Sequence, residues 1–490
     1  MSTWLHWAAR SALVGNVAWN LAGTVLPLAV GLVTIPLLLA VLGIERFGLL
    51  SLIWILTGYF GLLDLGMSRA LTKLVAENAG SAADTRLARD VWTGLGAMSA
   101  VGLAGALVLG AAANWLARAL LNIPESMQTE TVRAIWFLVP SIPVTIAAAG
   151  LRGVMEGLHL FRLANLIRMP LAALTFLAPL AVALITPDLA LISASLLGVR
   201  ILGLIAHWVA CVRALPALAR PQLPDSGVAR LLLGFGGWLT VTNVVGPLMT
   251  YLDRFVVGAV ADMAAVAHYA TPYDLVTKLL LVPFALSGVL FPVFSGALQH
   301  GTAAPAALMT RSLAAVFAVI FPVVVVMVAF AREGMGLWLG DEFASHSYRV
   351  LQWLAAGVLV NAMAQVPFAY LQSAGRPDWI AKLHLAELPL YLAVLWWLLA
   401  TVGIVGAAIA WTGRVVVDAI ALLRMARAFV PAGGRTIPPR LVFAVLLGMA
   451  ALIEVALLES PLARGGLALL SAVAMPALVW RLIGRGLAGE

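Results

Sequence analysis

Charged side chains lie within stretches of this sequence that are otherwise apolar, and several are spaced as neighbours on one helix face. Three pairs of opposite charge are separated by four residues: Asp274 and Lys278, Arg414 and Asp418, and Arg152 and Glu156. A charge at bilayer depth costs about 2.5–3.5 kcal/mol on insertion scales, so such a residue usually meets a partner or water. Either each pair neutralises itself, or its cation is available to an anionic ligand.

Other basic residues are also candidates for anion binding. Arg69 and Lys73 are one turn apart and carry like charge, which favours an anion site; the alternative is that both side chains extend to lipid headgroups. Arg254 follows Asp253 near the expected outer end of another segment. Arg200 has no acid at helical spacing, so it either pairs across helices or contacts a ligand.

Two further groups of polar residues interrupt apolar segments. Glu387 is an isolated acid, and it either takes part in proton or sodium coupling or is a satisfied buried acid. Asn20 with Pro27, and Asn243 with Pro247, occupy matching places in two segments. Broken helices expose backbone groups to cargo in transporters, and plain packing kinks explain these residues equally well.

The sequence indicates no metal or cofactor. Cys211 is the only cysteine, which excludes an internal disulfide and a cysteine-based metal cage, and it is interpreted as a small apolar residue at a helix end. The seven histidines form no metal-ligand spacing, and no glycine-rich phosphate loop or hydrolase motif occurs. We therefore expect neither a cofactor nor an enzymatic activity.

The segments that position these residues are long enough to cross a bilayer. Hydrophobic residues make up 63% of the 490 residues, charged residues make up 11%, and the mean hydropathy is +1.03. This composition leaves too little polar surface for a soluble globule, so we expect an all-α polytopic membrane protein of about fourteen transmembrane helices. The predicted spans are residues 12–41, 47–78, 87–115, 131–157, 163–186, 189–213, 229–260, 264–297, 306–331, 347–373, 379–401, 403–428, 439–458 and 462–484.

The basic residues predict the orientation of these spans. If the N-terminus is cytoplasmic, most Lys and Arg residues fall in cytoplasmic connections, including Arg86, Arg89, Arg424 and Arg427. An even number of spans then places the C-terminus in the cytoplasm as well. The formal net charge of +8 is spread over many connections, so we expect no nucleic-acid partner.

An internal repeat is indicated by the similarity of residues 19–27 and 238–247, each of which begins with Trp and ends with Pro. The repeat predicts a six-helix lobe at 1–220, a second at 221–430, and two additional helices at 431–490. Because six is even, the two lobes enter the membrane in the same sense. Parallel halves of this kind are typical of transporters with a central cavity.

Four motifs together resemble a known family. Residues 42–48 read Leu-Gly-Ile-Glu-Arg-Phe-Gly, residues 63–71 read Leu-Asp-Leu-Gly-Met-Ser-Arg-Ala-Leu, residues 156–162 read Glu-Gly-Leu-His-Leu-Phe-Arg, and residues 251–258 read Tyr-Leu-Asp-Arg-Phe-Val-Val-Gly. This set resembles the polysaccharide-export branch of the MOP exporter superfamily, the Wzx-type flippases of lipid-linked oligosaccharides. One departure is Met263, where the family usually carries Gly in the turn of its second half.

The resemblance implies a flippase that carries an undecaprenyl-diphosphate-linked oligosaccharide, such as an O-antigen or exopolysaccharide repeat unit, from the cytoplasmic to the periplasmic leaflet of the bacterial inner membrane. It also implies that helices 1, 2, 7 and 8 surround the central cavity during alternating access. The candidate substrate-binding cations are Arg69, Lys278, Arg254, Arg152 and Arg200. The candidate polar or ion-pair residues of the cavity are Asp64, Asp253, Asp274, Asn20 and Asn243.

Other functions stay open at this point. A cation-coupled multidrug exporter of the same superfamily would favour an acidic cavity, whereas this sequence mixes acids and bases in its central segments. A peptidoglycan-precursor flippase is a second alternative, and a membrane glycan polymerase or ligase is a third, although the sequence offers only short extramembrane loops for catalysis. The expected partners are membrane lipids, a polysaccharide polymerase and chain-length regulators, and we expect a monomer.

Overall fold

A computed structural model describes residues 2–61, 64–78, 84–230, 249–299, 304–429 and 438–487, with the described side chains lying between residues 25 and 481. Across these ranges the chain forms helices, turns and loops, with no strand, so the predicted all-α class is confirmed. The α-helices are α1 Ser2–Phe60, α2 Met67–Asn78, α3 Asp84–Trp115, α4 Glu125–Leu138, α5 Ser141–Gly157, α6 Phe161–Ala183, α7 Leu189–Ala214, α8 at 249–260, α9 Met263–Thr277, α10 Leu281–Gln299, α11 Ala304–Ala329, α12 Ala331–Leu339, α13 Asp341–Ser373, α14 Pro377–Val402, α15 Ile404–Arg427, α16 Pro439–Leu457 and α17 Pro461–Leu487.

Twelve segments within the described residues are long and apolar enough to cross a membrane. The first of them, Val25–Phe60, joins most of the predicted first span to part of the second. The predicted span at 229–260 falls partly outside the described residues. These two differences separate the observed twelve from the predicted fourteen.

Two breaks shape the N-terminal segments. Gly43 has φ of 74° and ψ of 167°, which interrupts α1 in the connection between the predicted spans 12–41 and 47–78. A glycine adopts this left-handed φ without the steric penalty of a side chain. A second break separates α1 from α2, where Leu65 and Gly66 have φ of 56° and 77°.

A third break lies between α9 and α10. Residues Lys278–Leu280 form a single 3₁₀ turn between the two helices. Pro283 explains the break, because it has no N–H to donate and its ring crowds the carbonyl four residues earlier, at Leu279. Lys278 therefore lies at an irregular point in an otherwise apolar segment.

The chain divides into two compact units, Met1–Ala264 and Ala265–Glu490. In the first unit α5 packs against α2, α3 and α7, and α6 packs against α1 and α7. In the second unit α13 packs against α10, α11, α12 and α15, and α11 also packs against α17. The predicted lobes at 1–220, 221–430 and 431–490 concern an internal repeat, which compact packing alone does not test, and they stay a prediction.

Close approach between α2 and α5 depends on two glycines. A Cβ atom on Gly153 would lie 2.7 Å from the Ser68 carbonyl oxygen, and one on Gly157 would lie 2.8 Å from the Thr72 carbonyl oxygen. Nearby, Cys211 is fully buried and its Sγ donates to the Leu151 carbonyl oxygen at 3.3 Å, which agrees with its interpretation as a small packing residue.

Candidate functional site

Three arginines border one cavity inside the first unit. The cavity has a volume of about 450 Å³ and is lined by residues of α1, α5, α6 and α7, together with Gly61. Arg152 comes from α5, Arg168 from α6, and Arg200 from α7. His207 of α7 also contributes, and the rest of the lining is mostly Gly, Ala and Thr. We refer to this site as the arginine pocket.

Helical spacing brings these side chains to the same cavity. Thr145, Ala148 and Arg152 are three and four residues apart on α5, and Arg200 and His207 are seven apart on α7, so each set lies on one helix face. The small residues between the long ones leave the cavity open. Arg168 is exposed, and Arg200 is only partly exposed.

The arginine pocket keeps an excess of positive charge. Arg152 Nε lies 3.4 Å from Glu156 Oε1, so of the two alternatives for these residues the ion pair is the one observed. Arg168 and Arg200 have no acidic partner within 4 Å among the described residues. Two of the three guanidinium groups are therefore available to an anion from outside the protein.

Neutral hydrogen-bonding groups complete the arginine pocket. His207 is 94% buried, and its Nδ1 lies 2.7 Å from the Gly203 carbonyl oxygen, so we assign the hydrogen to Nδ1, which donates this bond. Its Nε2 is buried and, like Thr145 Oγ1, has no hydrogen-bond partner within the described part of the chain. Buried polar atoms are normally paired, so these two are placed to bond a polar ligand.

Three predicted charged residues near the start of α2 lie in different surroundings. Arg69 is exposed, whereas Lys73 pairs with Glu77 at 3.7 Å. Asp64 is buried and accepts hydrogen bonds from the backbone N–H groups of Gly66 and Ser68 at 2.9 and 3.3 Å, and from the Ser68 hydroxyl. Asp64 thereby stabilises the break before α2.

Lys278 and Asp274 are both exposed at the break between α9 and α10. They belong to the apolar segment Met263–Leu298, in which exposed positions face either acyl chains or water. The high cost of a charge against acyl chains favours water or polar cargo around this pair.

Arg254 and Asp253 are fully buried, in contrast to Lys278. Arg254 donates to the Thr250 carbonyl oxygen at 3.2 Å and lies 5.4 Å from the Tyr251 ring centroid, and its own backbone N–H donates to Asp253 at 2.8 Å. The two asparagines of the predicted site cannot be assessed in this way, because the Asn20 side chain and all of Asn243 lie outside the described residues.

Glu387 belongs to a buried group of charged residues in the second unit. It is 7% exposed, and neither carboxylate oxygen accepts a hydrogen bond from the described residues, which disfavours the interpretation as a satisfied acid. An ion pair between Arg414 and Asp418, one of the two alternatives for these residues, does not form within the described part of the chain. Asp418 instead lies 3.3 Å from His384 Nε2 on the neighbouring helix.

Three residues of these sites were missed by sequence reasoning: Arg168, His207 and His384. Arg168 lies about two turns inside α6, within the predicted span 163–186. A basic residue within an apolar span is itself a signal of a functional site. The two histidines carried no such signal, because the cavity beside His207 and the partner of His384, Asp418, depend on how different helices pack together.

Comparison with known proteins adds independent information. The family model described as polysaccharide biosynthesis protein matches residues 13–298. A putative O-antigen transporter of Shigella flexneri is 27% identical over 417 residues, which cover 84% of this chain and 97% of that protein. A probable flippase of low-salt glycan biosynthesis from Haloferax volcanii is 24% identical over 195 residues, or 40% of each chain.

Two solved structures have a similar fold. An inward-facing MATE multidrug resistance transporter of the MOP superfamily has a TM-score of 0.72 at 13% identity, covering 84% of this chain and 98% of its own. The lipid II flippase MurJ in an inward closed conformation has a TM-score of 0.69 at 14% identity, covering 95% and 99%. Identities this low establish the shared fold only.

Proposed function

The chain belongs to the polysaccharide biosynthesis protein family, and on that premise we propose that it is a flippase that moves an undecaprenyl-diphosphate-linked oligosaccharide from the cytoplasmic to the periplasmic leaflet. The family match and the MOP-type fold confirm the sequence-based assignment to the polysaccharide-export branch of that superfamily. It is a multi-pass membrane transporter. The similarity to an O-antigen transporter supports the choice of cargo.

The arginine pocket is the observation that carries this proposal. A sugar headgroup cannot cross hydrocarbon unaided, because its hydroxyl groups would lose their hydrogen bonds to water. A diphosphate adds negative charge, for which guanidinium groups are well suited because they bind phosphate oxygens through two parallel hydrogen bonds. The cavity of about 450 Å³ lies within the range of roughly 300–1,000 Å³ that is usual for small-molecule sites.

We assign different tasks to the residues of the arginine pocket. Arg168, which is exposed, and Arg200, which is deeper, contact the diphosphate directly. Arg152 contributes charge while Glu156 holds its orientation. Thr145 Oγ1 and His207 Nε2 are placed to hydrogen-bond a phosphate oxygen or the first sugar. The polyprenyl chain stays in the bilayer.

Cations elsewhere extend the proposed route. Arg69 and Lys278 are exposed, which supports headgroup contacts before or after the arginine pocket is occupied. Arg254 is buried, so it would contact cargo only after its surroundings rearrange. This set of cations weighs against positively charged drugs as cargo, because like charges would repel.

The membrane orientation is part of the same proposal. The distribution of basic residues supports cytoplasmic termini, and the relatives support a bacterial inner membrane as the location. With that orientation Arg152 lies near the cytoplasmic end of α5, on the side from which a newly made lipid-linked glycan is loaded.

A reconstituted flipping assay tests the function. Purified protein is placed in liposomes with an undecaprenyl-diphosphate-linked oligosaccharide, and the glycan that reaches the outer leaflet is captured by a membrane-impermeant lectin. Each Arg–phosphate hydrogen bond contributes about 1.5–3 kcal/mol, so Arg168→Ala and Arg200→Ala should each weaken cargo binding about 10- to 100-fold.

Arg133→Ala is the matched control. Arg133 pairs with Asp188 at 3.4 Å, has a side chain 59% exposed, and lies outside the arginine pocket, so its loss should leave flipping unchanged. The proposed role of the pocket is wrong if both pocket variants flip glycan at the rate of Arg133→Ala at equal incorporation. The flippase proposal itself fails if the unaltered protein moves no glycan.

A further inference from the structure

A group of ionisable side chains is enclosed between α14 and α15 of the second unit. Glu387 and His384 are three residues apart on α14, and Arg414 and Asp418 are four apart on α15, so each pair lies on one helix face. His384 Nε2 lies 3.3 Å from Asp418 Oδ1, and Arg414 Cζ lies 5.7 Å from the Tyr391 ring centroid. Asp418, Arg414 and His384 are the charged groups that act on Glu387.

The position of this group makes any unbalanced charge costly. Glu387 is ten residues into α14, about 15 Å along a helix of 26 residues, which is close to the middle of the span. Glu387 and Tyr391 are both buried, and the side chain of Asp418 is 13% exposed. The His384 side chain is 23% exposed, so it is more accessible than the side chains of Asp418 and Glu387.

Counting formal charges gives a definite result. Two ionised carboxylates and one guanidinium leave one negative charge in excess when His384 is neutral. One added proton makes the group neutral, whether it resides on Glu387 or on His384. A sodium ion would supply the same charge, but it prefers a shell of oxygen ligands, and here an imidazole and a guanidinium occupy the surroundings.

We propose that Glu387, Asp418 and His384 hold one exchangeable proton in the second unit, and that this proton is the ion coupled to transport. A proton from hydronium binds His384 Nε2, so an O–H bond of hydronium breaks and an N–H bond forms. The proton then passes to a Glu387 carboxylate oxygen, where an O–H bond forms as the N–H bond breaks, and water is the only by-product. In the protonated state His384 or Glu387 donates to Asp418, and the α14–α15 contact is neutral. The coupling part of this inference rests on the proposed flippase function, whereas the proton site does not.

The first experiment measures the proton without any cargo. Infrared difference spectra of the full-length protein, recorded during pH titration, should contain a carboxylic-acid C=O band from Glu387. The band should be absent in Glu387→Gln and retained in Glu454→Gln, a matched control because Glu454 is an exposed acid on α16. Asp418→Asn should shift the titration of the band. If the unaltered protein and Glu387→Gln give identical spectra throughout the titration, the proton site does not exist.

The second experiment measures coupling in the glycan-flipping liposomes. One proton per cycle should change the steady-state ratio of glycan between leaflets about tenfold for each pH unit imposed across the membrane. Glu387→Gln should abolish that response, and replacing sodium with choline should leave it intact. A response to a sodium gradient alone, or an unaltered pH response in Glu387→Gln, would refute coupling by this proton. Lack of flipping by the unaltered protein would instead refute the flippase proposal and leave the infrared result standing.

Discussion

The close packing of α2 on α5 gives a prediction whose size follows from the structure. A methyl group on Gly153 would lie 2.7 Å from the Ser68 carbonyl oxygen and 3.0 Å from Thr72 Oγ1. An ordinary contact begins near 3.4 Å, so Gly153→Ala forces α2 to move outward by several tenths of an ångström. Overpacking of this kind costs about 1–3 kcal/mol.

Replacing glycine with alanine also stabilises the helix itself, and this gain must be separated from the cost of the clash. Alanine stabilises a helix interior by about 1 kcal/mol relative to glycine, so Gly153→Ala compared with the unaltered protein understates the clash. Gly96→Ala is the appropriate reference, because Gly96 lies within α3 and an added Cβ there has no neighbour within 4 Å. Both variants then carry the same propensity gain.

Thermal unfolding of the purified variants in detergent measures the difference. Gly153→Ala should unfold with a free energy about 1–3 kcal/mol lower than that of Gly96→Ala, which corresponds to a midpoint roughly 1–3 °C lower for a chain of 490 residues. An equal or higher midpoint for Gly153→Ala would mean that α2 is not held at the distance described here, and the account of this interface would be wrong.

Two further substitutions test local hydrogen bonding by the same measurement. Asp64→Ala removes the acceptor that stabilises the start of α2, and it should lower the free energy of unfolding by about 1 kcal/mol, with Asp64→Asn intermediate; an unchanged midpoint would contradict the capping role. Asn122 donates from Nδ2 to the Ala259 and Ala261 carbonyl oxygens at 3.0 and 2.8 Å, so Asn122→Asp, which lacks these donors, should cost about 1–3 kcal/mol. Equal stability of Asn122→Asp and the unaltered protein would show that these bonds contribute nothing.

Features set by local chemistry were predictable from the sequence. The apolar spans follow from composition over about 20 residues. The break at Gly43 lies between two predicted spans, at a residue type that permits positive φ, and the ion pair of Arg152 with Glu156 follows from their spacing on one helix. In each case the deciding interaction lies within one segment. Periodicity and residue type therefore contain the necessary information.

Features that depend on which helices meet were not predictable in the same way. Helical spacing offers Arg414 as a partner for Asp418, whereas the residue that lies beside Asp418 is His384 of α14. Arg168 and Arg200 reach the same cavity from different helices, and no spacing within one helix relates them. Single-sequence periodicity contains no information about the order in which helices pack around a cavity.

The burial of Cys211 has a practical value for studying the transport cycle. It is the only cysteine of the sequence, and its thiol is sealed from solvent, so reagents such as maleimides should not reach it in the folded protein. Cysteines introduced at exposed positions of the two units would then be the sole attachment points for spin labels. Distances between such probes could be recorded under different pH gradients with the native background left in place.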